Sequence, residues 1–106
     1  MSLLAPGTVG CTVAAQNYLP HARVLADGWR RHHGDAPLHV LLVDADEAVD
    51  PGSDALRVLT PGQLGIPAAE IARMRGIYTV AELSTALKAH ALRHLLDGGA
   101  EIAVHV

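Results

Sequence analysis

Two short apolar runs constrain what this chain can fold into more than any other feature of the sequence. Residues Thr8 to Ala15 and residues Leu38 to Val43 are apolar or β-branched at nearly every position, without the alternation of a half-exposed strand. Strands covered on both faces have this pattern, and they belong to parallel sheets with helices on either side. Parallel neighbours need a crossover connection, so we expect a helix between the two runs.

The segment between the two runs has the signals of an amphipathic helix. Asn17 stands at the position of a helix cap, and Gly34 at the position of a stop signal. Four apolar residues follow the cap at the spacing of one helical face: Tyr18, Ala22, Leu25 and Trp29. The sequence therefore predicts a helix that follows the cap Asn17 and ends at about residue 32 or 33.

A second helix and a last strand are predicted towards the end of the sequence. Thr79 and Glu82 form a capping box at the start of the helix, and Gly98-Gly99 ends it. The apolar residues that share one face of this helix are Val80, Leu83, Leu87, Ala91 and Leu95. Residues 100–106 follow with alternating apolar positions, as in a strand. A brief third strand over 56–59 and a short helix over about 68–74 are predicted before it.

The order of these elements predicts the α/β fold class. Right-handed crossovers place the helices on both faces of a mainly parallel sheet, in a three-layer sandwich. The 106 residues are 50% hydrophobic and only 18% charged, as in a globular chain with one modest core. We therefore expect a single domain over residues 1–106.

Charge and hydropathy exclude two classes of function. The formal net charge is -3 and the 8 Lys and Arg residues form no run, so a nucleic-acid partner is not expected. The apolar runs fall far short of the roughly 18 residues of a membrane span, and no signal peptide precedes the first strand. The single cysteine, Cys11, lies in the first predicted strand, where a buried structural thiol is expected. These features predict a cytoplasmic protein.

The turn after the first predicted strand carries the first candidate binding residues. Neither a GxGxxG fingerprint nor a P-loop is present, and the strand leads instead into Ala14-Ala15-Gln16-Asn17. Small residues let a ligand approach the backbone, amide groups can read a base or ribose edge, and Tyr18 can stack on a ring. The alternative interpretation is structural, with Asn17 capping the helix and Tyr18 packing beneath it.

Three charged side chains extend the set of candidates. Asp44 and Asp46 follow the second predicted strand, at the sheet edge where ligands of α/β proteins collect. They would accept hydrogen bonds from a nucleotide, bind Mg²⁺ or Mn²⁺, or form a solvated turn. Lys88 lies in the middle of the long helix, where it either reaches a phosphate or faces solvent. A zinc site at His90 and His94 lacks a third ligand.

Three segments carry more information together than each does alone. They are Cys11-Thr12-Val13-Ala14-Ala15-Gln16-Asn17-Tyr18-Leu19 with Ala22-Arg23-Val24-Leu25, then Val40-Leu41-Leu42-Val43-Asp44, then Glu82-Leu83-Ser84-Thr85-Ala86-Leu87-Lys88. Over nearly the whole chain, this combination resembles the amino-terminal half of bacterial GT-A-type glycosyltransferases. The resemblance implies a partial GT-A, Rossmann-like nucleotide-binding fold. It also implies a nucleotide-diphospho-sugar as partner, with a UDP-sugar as the first choice.

The resemblance implies roles for six residues. The turn residues Ala14, Ala15, Asn17 and Tyr18 would hold the base and ribose, Asp44 the uracil or ribose edge, and Lys88 the phosphates. In the family a metal-binding Asp-x-Asp motif follows the strand that corresponds to residues 101–106, and this sequence stops before it. The divalent cation of the family, Mn²⁺ or Mg²⁺, is therefore expected to have no ligands in this chain. Asp44-Ala45-Asp46 looks like the motif but follows the wrong strand.

Two functional hypotheses follow. The first is the nucleotide-sugar-binding portion of a glycosyltransferase, inactive as an isolated chain because the metal and acceptor sites are missing. The second is a stand-alone, non-catalytic α/β binding or assembly module. An exposed sheet edge at the last strand would favour a homodimer.

Overall fold

The computed structural model describes residues 7–34 and 36–106, and its centre is a four-stranded parallel sheet. The strands are β1 (Thr8–Ala14), β2 (Leu38–Leu42), β3 (Leu56–Leu59) and β4 (Ile102–His105). Their order across the sheet is β3-β2-β1-β4, and each neighbouring pair is parallel. The prediction of an α/β fold with a parallel sheet is confirmed.

Three helices cover the two faces of the sheet. They are α1 (Leu19–His33), α2 (Ala68–Ile77) and α3 (Val80–Asp97). Helix α1 packs on one face with Leu38, Val40 and Leu42 of β2, while α2 and α3 pack on the other face with Cys11 and Leu41. Neighbouring side chains of β2 thus point to opposite apolar layers, which explains the unbroken apolar run. The predicted three-layer sandwich is confirmed.

The start of α1 differs from the prediction. Residues Gln16–Tyr18 form a short 3-10 turn, α1 begins at Leu19, and Asn17 is not its cap. Pro20 lies in the first helical turn, where its fixed φ favours a helix start. The buried face of the helix moves accordingly and consists of Leu19, Ala22, Ala26 and Trp29. Tyr18 and Leu25, predicted to pack, are 56% and 38% exposed.

Helix α3 starts as its sequence predicts. The Glu82 backbone N–H donates to Oγ1 of Thr79 at 3.2 Å, and the Thr79 N–H donates to Oε1 of Glu82 at 2.9 Å, which completes the capping box. Of the five apolar residues on the predicted face, Leu83, Leu87, Ala91 and Leu95 are buried. Val80, predicted to lie on the same buried face, is 58% exposed instead.

Strand β4 forms one edge of the sheet. It pairs with residues 8–11 of β1, and no strand of the described residues pairs with its other side. Its apolar residues Ile102 and Val104, with Val106 after the strand, are exposed. In the described part of the chain, none of the helices is long and apolar enough to cross a membrane.

Candidate functional site

The strand order marks one place in the sheet where a ligand is expected. The chain leaves β1 through α1 on one face, while β3 connects to β4 through α2 and α3 on the opposite face. The direction of winding therefore reverses between β1 and β4. In open α/β sheets, ligands bind outside the carboxyl ends of the strands at such a switch point, because the helices diverge there and leave a crevice.

A cavity of about 370 Å³ opens at this point, and we call it the switch-point cavity. Its wall combines the end of β1 with the first turns of α1 and α3: Thr12, Val13, Ala14, Ala15, Tyr18, His21, Ala22, Leu25, Val80 and Ser84. Strand β1 is paired with β2 as far as Ala14. The last residues of β1 thus belong to the sheet and also line the cavity.

The wall of the switch-point cavity suits a neutral or anionic ligand with a planar group. No Asp or Glu is among the lining residues that the structure describes. The rings of Tyr18 and His21 lie with their centroids 5.6 Å apart and tilted by 49°, and both line the cavity. Helices α1 and α3 both begin at the cavity, so the positive ends of two helix dipoles are directed towards it.

Three of the six predicted site residues meet in this wall. Ala14, Ala15 and Tyr18 line the cavity together. Asn17 lies in the 3-10 turn beside them and is exposed, but it is not a lining residue. Lys88 is half-buried in α3, one turn beyond the lining residue Ser84. The structure thus brings the turn residues to one cavity and leaves Lys88 next to it.

Lys88 belongs to α3, which packs beside β4 in the apolar layer that includes Ala103. Burial and, as a smaller cause, the positive charge of Lys88 lower the pKa of His105, the last residue of that strand. A charged ammonium group at this edge of the sheet is compatible with an anion in the adjoining cavity.

Asp44 follows β2 and joins the ends of β1 and β2. The backbone N–H of Gln16 donates to Oδ1 of Asp44 at 2.8 Å, and Nε2 of Gln16 donates to the Asp44 carbonyl at 3.1 Å. We call these two hydrogen bonds the Gln16–Asp44 bracket. The Val43 N–H also donates to the Ala14 carbonyl, at 3.0 Å. Asp44 thus holds the turn that forms one wall of the cavity but does not itself line the cavity.

Arg75 is a residue of the site region that the sequence analysis missed. It lies near the end of α2, and its Nη2 donates to the Val43 carbonyl at 2.9 Å and to the Ala45 carbonyl at 3.3 Å. It also forms an ion pair with Asp46. No periodicity or motif predicts these contacts, because they join residues about 30 positions apart in the sequence.

The carboxylates of Asp44 and Asp46 do not fit a cation site. One is bound by the Gln16 amide and the other by the Arg75 guanidinium, a charge that repels Mg²⁺ or Mn²⁺. Across residues 7–34 and 36–106, no group of three or more His, Cys, Asp or Glu side chains is arranged to hold a metal ion. The pair His90 and His94 therefore has no third metal ligand among the described residues.

Cys11 is a structural thiol, as predicted. Its side chain is fully buried in the layer between the sheet and α3. Burial raises the pKa of Cys11 to about 11. The thiol is therefore protonated at neutral pH and is a poor nucleophile.

Comparisons of the chain with protein-family models, with curated proteins and with solved structures find no match. The basis for a functional proposal is therefore the geometry of the site, together with the resemblance of the three sequence segments.

Proposed function

We propose that this chain is the nucleotide-sugar-binding portion of a glycosyltransferase that transfers a sugar from a nucleotide-diphosphate donor, preferably a UDP-sugar, to an acceptor. One observation carries the proposal. The cavity at the switch point between β1 and β4 is lined by Ala14, Ala15 and Tyr18, the turn residues that the resemblance assigns to the base and ribose.

The wall residues explain how a nucleoside would bind there. The methyl groups of Ala14 and Ala15 are small enough for a base to approach the backbone, while Tyr18 and His21 offer aromatic surface to its ring. Asp44 binds Gln16 through Oδ1 and lies outside the cavity wall, so its role at the ribose or uracil edge is assigned on the resemblance alone. Asn17, exposed in the same turn, is assigned to the ribose on the resemblance alone.

The phosphates of the donor would lie towards Lys88. Two helices begin at the cavity, and their backbone N–H groups favour negative charge. The Lys88 ammonium would add a full positive charge on the β4 side of the cavity.

The divalent cation that the resemblance implies, Mn²⁺ or Mg²⁺, belongs to the same proposal. It would neutralise the leaving diphosphate, but the described residues offer no ligand set for it. We therefore expect this chain to bind the nucleotide and not to transfer the sugar by itself.

Nucleotide titration tests this function. We expect UDP and UDP-glucose to bind the chain, and GDP-mannose to bind more weakly, in calorimetry with Mn²⁺ present. Ala15→Leu places a bulkier side chain in the wall where the base would lie and should weaken UDP binding by about tenfold or more, which corresponds to about 1.4 kcal/mol. Ala89→Leu, on the exposed side of α3, is the matched control and should bind like the wild type. Absence of heat with every nucleotide would contradict the proposal.

A second candidate function is a non-catalytic binding or assembly module, which the exposed edge strand β4 favours. Antiparallel pairing of β4 with a second copy, centred on Ala103, would set Ile102 against Val104 of the other copy. The same register would set Glu101 against His105, so that a carboxylate faces an imidazole across the two-fold axis. The exposed apolar side chains would then be covered.

Light scattering after gel filtration tests this homodimer. We expect the chain to elute as a dimer and Val104→Lys to elute as a monomer, because a charged side chain on an edge strand opposes pairing. Val24→Lys is the control, since Val24 is an exposed valine of α1, away from β4. A wild-type monomer at every concentration would exclude the edge-paired dimer.

We propose the cytoplasm as the compartment for either function. The single cysteine is fully buried and protonated, so the chain has no internal disulfide that would require an oxidising environment. Cell fractionation would test this location, and recovery of the chain in a secreted fraction would contradict it.

A further inference from the structure

We propose that Arg75 is a positioning residue for the nucleotide site. Arg75 fixes the position of the segment after β2 and therefore that of the Gln16–Asp44 bracket. The bracket in turn fixes the part of the switch-point cavity wall that Ala14 and Ala15 form. The inference rests on the proposed function, because it takes that cavity as the nucleotide site.

The contacts of Arg75 surround Asp44 on both sides. Nε and Nη2 of Arg75 donate to the Val43 carbonyl at 3.2 Å and 2.9 Å, and Nη2 also donates to the Ala45 carbonyl at 3.3 Å. The Arg75 side chain is only 28% exposed. Its ion pair with Asp46 adds little, because the Asp46 side chain is 80% exposed and solvent screens the charge. The backbone contacts therefore account for most of the effect of Arg75.

A short chain of hydrogen bonds continues from this segment to the cavity wall. Asp44, which lies between the two residues that Arg75 holds, binds the Gln16 amide, and the Val43 N–H binds the Ala14 carbonyl. Ala15 lies between Ala14 and Gln16 and lines the cavity. A shift of the segment after β2 would consequently move both neighbours of Ala15.

The contact pattern explains why this position needs arginine. A guanidinium has five donors in a rigid fork and can bond two carbonyls and a carboxylate at once. A lysine ammonium is a compact charge on a flexible stem and would retain the attraction to Asp46 but not the fork. We therefore expect Arg75→Lys to restore part of what Arg75→Ala loses.

The test measures the position of the turn and the affinity for UDP separately. In Arg75→Ala, we expect the amide resonances of Ala15 and Gln16 to shift and UDP to bind roughly three- to thirtyfold more weakly, the range for residues that act through others. Arg75→Lys should lie between this variant and the wild type. The matched control is Arg73→Ala on the same helix, because Arg73 is exposed and pairs only with Glu70 among the described residues. It should change neither quantity.

The outcomes that overturn the inference are distinct from failure of the proposed function. Unshifted Ala15 and Gln16 amides in both Arg75 variants would overturn it. Shifted amides with unchanged UDP affinity, or lower thermal stability alone, would also overturn it, since Arg75 would then be only structural. If the wild type itself does not bind UDP, the proposed function fails. The amide shifts then still decide whether Arg75 positions the turn.

Discussion

Replacing Leu87 by alanine is expected to destabilise the fold by about 2–5 kcal/mol, the range for deleting most of a buried leucine side chain. Leu87 is fully buried in the middle of α3 and belongs to the apolar cluster between that helix and the sheet. The other members of this cluster come from several elements, among them Leu41 of β2 and Ile71 of α2. The void would therefore close only partly.

Urea denaturation followed by circular dichroism measures this loss. The matched control is Leu96→Ala, which removes the same atoms from a side chain that is 44% exposed in the last part of the same helix. We expect the control to change stability by only about 0.5 kcal/mol. Equal losses in the two variants would show that α3 does not pack on the sheet through the Leu87 face.

Gly10→Ala is expected to destabilise the protein by about 1–3 kcal/mol, although it adds a single methyl group. A Cβ atom at residue 10 would lie 2.8 Å from Cζ2 and 2.9 Å from Cη2 of Trp29, and 3.0 Å from Cδ1 of Leu38. The indole cannot easily move away, because it is buried and its Nε1 donates to the Ala36 carbonyl at 2.8 Å. Either the Trp29 side chain must then adopt another conformation, or α1 must move away from the sheet.

The fluorescence of the single tryptophan reports both the stability and the shift of the ring. Trp29→Phe should relieve the clash, so the double variant should lose less stability than the sum of the two single variants. Circular dichroism follows the unfolding of the two variants that lack the tryptophan. The control is Gly28→Ala in α1, where an added Cβ meets no atom within 4 Å and where alanine favours the helix. A Gly10→Ala variant as stable as the wild type would mean that Trp29 does not pack over β1 as described.

Most elements of the fold could be predicted because their signals are local. The apolar run of β2 and the Thr79 capping box depend on neighbours within a few residues, and both are present in the structure. The predicted start of α1 was wrong because two local signals compete there. Asn17 has the properties of a helix cap, but the preference of Pro20 for a first turn favours a cap one residue later, at Tyr18, whose side chain lines the cavity instead of the core.

The candidate site was only partly predictable. Ala14, Ala15 and Tyr18 could be found because a ligand site in this class of sheet follows a strand end, and the end of β1 is visible in the sequence. The helical pattern places Lys88 in the middle of α3, but it does not predict that this part of α3 lies beside β4. Gln16 was seen as an amide able to read a ligand, whereas the structure uses it to bind Asp44.

By itself, the sequence determined the α/β class, the position of the strands and the turn that follows β1, because periodicity, capping and turn chemistry act over a few residues. Tertiary structure alone decided the strand order β3-β2-β1-β4, and with it the switch point and its cavity. It also decided the contacts of Arg75 with Val43 and of Gly10 with Trp29. These depend on how the helices pack across the two faces of the sheet, where side chains distant in sequence become neighbours.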